Sequence, residues 1–223
     1  MAAPAAAERL IAEIVADGRG TLAGTGRDSF DPRVLDALRR APREAFVPAD
    51  AAAFAYANRP LPIGHGQTIS QPAIVALMTD MIAPRPGEKL LEIGTGSGWQ
   101  AAVLAALGAQ VFSVEVIPEL SARAAAALAA QGFADVRLRV GDGWQGWPEE
   151  APFDAILVTA AAPRLPVALL AQLRPGGRMA IPIGPQDGPQ RLMLIRKAAD
   201  GTITQEDALA VAFVPLVEPR RTG

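Results

Sequence analysis

The chain of 223 residues contains no cysteine and one histidine, His65. The first absence excludes disulfides, thiolate catalysis and cysteine-ligated metal. The second excludes a multi-histidine metal site and would route any Ser-His-Asp triad through His65. No charge sign dominates: 21 Lys+Arg against 23 Asp+Glu give a formal net charge of −2. A basic field for nucleic acid is therefore absent. Long apolar runs are missing as well. The alanine-rich stretch Ala122 to Ala130 is too short and too weakly apolar to span a bilayer. The start, Met1-Ala2-Ala3-Pro4-Ala5-Ala6-Ala7-Glu8-Arg9, lacks the basic region and apolar core of a signal peptide. These absences point to a cytoplasmic protein that binds neither nucleic acid nor membrane. Half of the residues are hydrophobic, enough to build one core with an N-terminal appendage.

Periodicity divides the chain near Gly87. Before it, helices and loops are expected. Residues 8 to 17 have helical spacing, and Gly18 to Ser29 reads as a loop. Asp31-Pro32 opens a second helix as N-cap and first residue. A short helical stretch follows at 49 to 57, then a loop at 58 to 69. Ser70-Gln71-Pro72 starts another helix, which Pro84-Arg85-Pro86-Gly87 stops. After Gly87, strands and helices alternate. Strands are expected at 89–93, 110–116, 136–140, 153–159 and 178–183, with helices at 99–107, 118–131 and 165–173. Such alternation predicts a parallel sheet with helices on both faces. Two further strands, 191–196 and 208–217, joined through Asp200-Gly201, predict an antiparallel edge hairpin. The expected fold is a Rossmann-like, doubly wound, mostly parallel seven-stranded α/β sheet. Residues 1–87 form a helical lid and substrate-loop region and residues 88–223 a cofactor-binding core, in one compact unit.

The run Leu90-Leu91-Glu92-Ile93-Gly94-Thr95-Gly96-Ser97-Gly98-Trp99 carries the chemistry. A buried strand turns through alternating glycines into a helix. Glycine lets the backbone approach a ligand closely, and the helix N-terminus suits an anionic group. The Gly-x-Gly-x-Gly spacing is not the Gly-x-Gly-x-x-Gly of dinucleotide sites. Two acidic residues follow at strand ends. Glu115, next to Val116, stands where a carboxylate would accept ribose hydroxyls, and Asp142-Gly143 where one would meet an adenine amino group. Each feature has a plainer reading, as a tight turn, a solvated strand end and a turn pair respectively. Together they favour S-adenosylmethionine over NAD, since one carboxylate needs only one helix N-terminus. The Trp99 or Trp144 ring would suit the sulfonium, although core packing is the commoner fate of tryptophan.

Two stretches carry a family resemblance. Arg59-Pro60-Leu61-Pro62-Ile63-Gly64-His65-Gly66-Gln67-Thr68-Ile69-Ser70-Gln71-Pro72 and Leu90 to Leu104 closely resemble protein-L-isoaspartate O-methyltransferases. Supporting matches are Val140 to Gly143, Ala151 to Ile156, Val158 to Pro163 and Phe213 to Leu216. The resemblance implies methyl transfer from S-adenosylmethionine to the free carboxylate of isoaspartyl residues in damaged proteins, leaving S-adenosylhomocysteine. It implies Ser70 as the active-site residue. Thr68, Ile69, Glu92, Gly94, Thr95, Gly96, Ser97, Gly98, Glu115, Val116, Asp142 and Gly143 are the candidate cofactor residues. His65, Gln67, Pro215 and Leu216 are candidates for substrate contact, in a monomeric enzyme.

The chain departs from the family pattern at Ala73 and Trp99, where bulkier and tyrosine-like residues are expected, and in a longer segment from Gly18 to Phe30. Ser70 also has a plainer reading as a helix N-cap. The alternatives at the level of function are another S-adenosylmethionine-dependent carboxyl or small-molecule methyltransferase, an NAD-binding oxidoreductase, and a cofactor-binding homologue without isoaspartyl activity.

Overall fold

The computed structural model describes residues 2–22, 25 and 27–217. Residues 23, 24 and 26 of the expected Gly18–Ser29 loop, and residues 218–223 of the expected core, lie outside the described set. Helix α1 (Ala2–Thr21) is longer than its apolar spacing predicts at both ends. The leading alanines favour helix, and Gly18 stays helical because the Phe30 ring packs on it. A Cβ there would stand 3.1 Å from Phe30 Cε2. Helix α2 (Pro32–Arg40) begins as expected, with the Asp31 side chain accepting from Arg33 N.

The expected loop at 58–69 is instead an antiparallel hairpin, β1 (Leu61–Gly64) and β2 (Gln67–Ile69). Its strands are too short to show a period. Its turn holds Gly64, His65 and Gly66 at φ of 88°, 54° and 71°, so His65 shapes the turn from its exposed tip. Helix α3 (Pro72–Ile82) follows, almost wholly buried. The segment before α2 is tied to it, because Asp80 pairs with Arg27 at 2.8 Å and accepts from Asp31 N at 2.9 Å.

The main sheet has seven strands in the order β5-β4-β3-β6-β7-β8-β9. These are β3 (Lys89–Ile93), β4 (Gln110–Glu115), β5 (Arg137–Val140), β6 (Phe153–Val158), β7 (Leu173–Ile183), β8 (Gln190–Lys197) and β9 (Ile203–Val211). The first five are parallel; β8 and β9 close the edge antiparallel. Helices α4 (Trp99–Ala106), α5 (Pro118–Ala130) and α6 (Val167–Gln172) complete the connections. Side chains alternate between two cores. Leu90, Ala155 and Leu157 face α1 to α5, while Leu91, Ile93, Ile156 and Val158 face α6 and the Trp144–Trp147 loop. The chain leaves β3 towards one edge and β6 towards the other. The switch point therefore lies between the carboxyl ends of β3 and β6, where open sheets bind ligands.

Candidate active site

Gly94 turns the chain out of β3. Its N–H donates to Val114 O at 2.8 Å, and its carbonyl accepts from Thr159 Oγ1 at 2.6 Å. Its φ of +94° is open to glycine and strained for other residues. Glu115, at the end of β4, faces the loop. Its Oε2 accepts from Gly96 N at 2.8 Å and its Oε1 from Ile117 N at 3.0 Å. Charge-assisted bonds of this kind are strong. They fix the carboxylate while each oxygen keeps a second lone pair.

One cavity brings together most of the expected residues: Gln67, Thr68, Ile69, Ser70, Gly94, Thr95, Gly96, Ser97, Glu115, Val116, Gly143, Pro215 and Leu216. A second cavity of about 590 Å³ adjoins it and shares Thr68, Ser70, Thr159 and Val214 as common wall. Pro215 and Leu216 line only the first cavity, as does Gln67. The outer groove runs instead past Leu209–Val214, Ala73 and Asp17. Pro215 and Leu216 thus stand on the inner cavity, and the segment just before them lines the outer groove. The pairing of Leu216 N with Ala161 O at 2.8 Å turns this segment inward.

Four expected residues lie outside the lining of both cavities: His65, Glu92, Gly98 and Asp142. Gly98 packs on α5, where a Cβ would stand 3.1 Å from Ala124 Cβ. Asp142 Oδ1 accepts from Trp144 N at 2.9 Å and so shapes the turn at Gly143. Glu92 is wholly buried beneath the loop. Ser113 Oγ donates to it and meets Thr95 Oγ1 at 2.6 Å. Nor does Ser70 cap α3. The N-cap residue is Gln71, which makes no side-chain cap bond.

Burial pushes the Glu92 carboxyl up to about 8, with the charge of Glu115 adding to the shift and the Ser113 bond opposing it. Glu92 is therefore neutral at pH 7, and Glu115 is the sole charged side chain among the described residues lining the inner cavity. A net-cationic ligand such as S-adenosylmethionine fits one carboxylate; a dianionic diphosphate does not. The folded state also keeps a proton on Glu92 that the unfolded state releases near 4.5. This group's contribution to stability accordingly falls as pH rises between those values. Glu92→Gln, neutral at every pH, should gain stability relative to wild type between pH 5 and pH 8. Denaturant unfolding at the two values checks this; a pH-independent difference contradicts it.

Gln190 carries no local signal in the sequence. Gln190 clamps the pocket wall, accepting from Phe213 N at 2.6 Å and donating to Phe213 O at 3.2 Å. Trp144 Nε1 donates to Leu216 O at 3.2 Å, so this ring braces the wall. Trp99 does line the inner cavity, while its Nε1 donates to Ala41 O at 2.8 Å.

A switch-point glycine loop, a strand-end carboxylate facing it and a seven-stranded sheet with an antiparallel edge are the frame of a Rossmann-like, S-adenosylmethionine-dependent methyltransferase. The comparisons narrow the class. The profile of the protein-L-isoaspartate(D-aspartate) O-methyltransferase family matches residues 25–221. The chain is 52% identical over 211 residues to protein-L-isoaspartate O-methyltransferase 2 of Polaromonas sp. (strain JS666), covering 95% of this chain and all of that one. It is 57% identical over 187 residues to protein-L-isoaspartate O-methyltransferase of Anaeromyxobacter dehalogenans (strain 2CP-1), covering 83% and 90%. A solved protein-L-isoaspartate O-methyltransferase superposes with a TM-score of 0.82 at 26% identity, covering 96% of this chain and 66% of that one. A Plasmodium falciparum protein in complex with S-adenosyl-L-homocysteine shares the fold, with a TM-score of 0.78 at 24% identity, covering 96% and 98%. The chain belongs to the protein-L-isoaspartate(D-aspartate) O-methyltransferase family.

Proposed function

We propose that this enzyme methylates the free carboxylate of isoaspartyl residues in damaged proteins, with Ser70 orienting that carboxylate. One observation carries the assignment of roles: Ser70 stands on the wall shared by the inner cavity and the outer groove. A group held there touches both a bound donor and an acceptor peptide. S-adenosylmethionine, when bound, supplies an already activated methyl group and leaves as S-adenosylhomocysteine.

The protein's part is binding and alignment. Glu115 takes the ribose hydroxyls, and the Gly94–Ser97 backbone takes the single carboxylate. Gly143, with Asp142 beside it, bounds the adenine end. The acceptor carboxylate, ordinarily titrating near 3.3–3.9, is already ionised at neutral pH, so no general base is required. The Ser70 hydroxyl donates to one of its oxygens and leaves the other to attack. Orientation of this kind supplies about 7–11 kcal/mol in well-aligned systems. Residues 1–87 provide the acceptor side and residues 88–223 the donor side of one unit, acting as a cytoplasmic monomer on protein substrates.

Ser70→Ala tests the assignment. It removes one hydrogen bond to a charged group, worth about 1.5–3 kcal/mol. The expected result is a fall in kcat of about 10- to 100-fold, with the Kd for S-adenosylhomocysteine within about threefold of wild type. Unchanged turnover would remove Ser70 from the mechanism.

A further inference from the structure

Arg43 is a buried cation without a carboxylate. It is 1% exposed, and it forms no ion pair among the described residues. Its guanidinium binds backbone instead. Nη1 donates to Ala55 O at 2.6 Å and Ala57 O at 3.2 Å; Nη2 donates to Arg59 O and Ser70 O, both at 3.0 Å. The guanidinium carbon lies 5.2 Å from the centroid of the Trp99 ring. Nε has no partner. Burial lowers the Arg43 pKa to about 10, which leaves it charged at neutral pH.

Burying a charge without a counter-ion is costly. Four carbonyl dipoles and an aromatic face offset part of that cost. Holding a loop does not require such an arrangement, because loop carbonyls are ordinarily satisfied by water or by neutral donors. The position of the charge is the informative point. Three of its carbonyls lie in the segment leading into the β1–β2 hairpin, and the fourth belongs to Ser70 itself. Its aromatic partner, Trp99, opens α4 directly after the glycine loop.

We propose that Arg43 is a positioning residue for methyl transfer: it locks the Ser70 backbone to Trp99, so that the acceptor-orienting hydroxyl is held in register with the donor loop. This rests on the role given to Ser70 above. The arginine fork can serve several carbonyls at once from one plane. A lysine keeps the charge but not the plane.

A double-mutant cycle of Arg43→Lys and Ser70→Ala, assayed on an isoaspartyl peptide, tests the clamp. Residues acting through one another are non-additive, whereas a general structural contribution multiplies independently. Arg43→Lys alone should lower kcat about tenfold or more, with the Kd for S-adenosylhomocysteine within about threefold. In the Ser70→Ala background the same change should cost less than about threefold. Multiplicative effects, a loss of cofactor affinity parallel to the loss of kcat, or a drop below about threefold in the single variant would each overturn the proposal. Should Arg43→Lys fail to fold, Arg43→Gln takes its place. That change keeps a planar amide donor but removes the charge and the fork, and the same non-additivity is required of it. A wild type that leaves the isoaspartyl peptide unmethylated would instead overturn the reading of function, which separates the two failures.

Discussion

Replacing Glu115 with alanine should weaken S-adenosylhomocysteine binding by at least about 100-fold. The carboxylate does two jobs at once. It accepts from Gly96 N and Ile117 N, at 2.8 and 3.0 Å, and in the proposed complex it accepts the ribose hydroxyls. Alanine leaves two backbone donors without their acceptor and the ligand without its own. A hydrogen bond to a charged group is worth about 1.5–3 kcal/mol, so losing two or more exceeds the ~2.7 kcal/mol that a 100-fold change requires. Glutamine is the informative control. Its carbonyl oxygen still accepts one N–H, but its amide group opposes the other donor, and an intermediate loss of about tenfold is expected. Titration calorimetry with S-adenosylhomocysteine reads both variants. Affinity within threefold of wild type for Glu115→Ala would contradict the assignment.

Gly94→Ala should unfold the loop that Glu115 supports. At a φ of +94° an L-residue carries about 1–3 kcal/mol of backbone strain. The new Cβ would also stand 2.4 Å from Thr159 Oγ1. That hydroxyl cannot easily yield, because its single proton is shared between Ile93 O at 3.0 Å and Gly94 O at 2.6 Å. A loss of about 3 kcal/mol or more is expected, which for a chain of this size lowers Tm by about 6–12 °C. Gly96→Ala provides the contrast within the same loop. Its φ of +54° lies in the left-handed region, and its Cβ would meet Ile63 Cδ1 at an ordinary 3.6 Å. The cost there is about 1–2 kcal/mol. Equal melting temperatures for the two variants would show that the close approach to Thr159 does not constrain the loop.

What sequence reading recovered depends on how far apart the deciding residues lie. Strands β3, β4 and β6 are apolar runs bounded by turns, and α3 is a dense apolar helix with Pro72 at its start. Their signals are local, and their positions were legible. The hairpin at 61–69 was not, since strands of four and three residues show no period and Pro62 argues against a strand. The extension of α1 through Gly18 is decided by the Phe30 ring, a tertiary contact that overrides propensity.

The site divides in the same way. Gly94 to Ser97 and Glu115 were visible because strand ends place them. The clamps were not visible. Arg43 reaches Ser70 across 27 positions, Gln190 reaches Phe213 across 23 and Trp144 reaches Leu216 across 72. Long polar side chains aimed at distant backbone leave no mark on periodicity. Glu92, next to the glycines in sequence, is turned by β-strand alternation inward beneath them, where Ser113 donates to it.

The most direct test of the account is transfer of labelled methyl from S-adenosylmethionine to an isoaspartyl peptide and to its aspartyl twin of identical sequence. The proposed function requires label on the isoaspartyl peptide and none above background on the twin. Equal labelling of both peptides, or of neither, would contradict it.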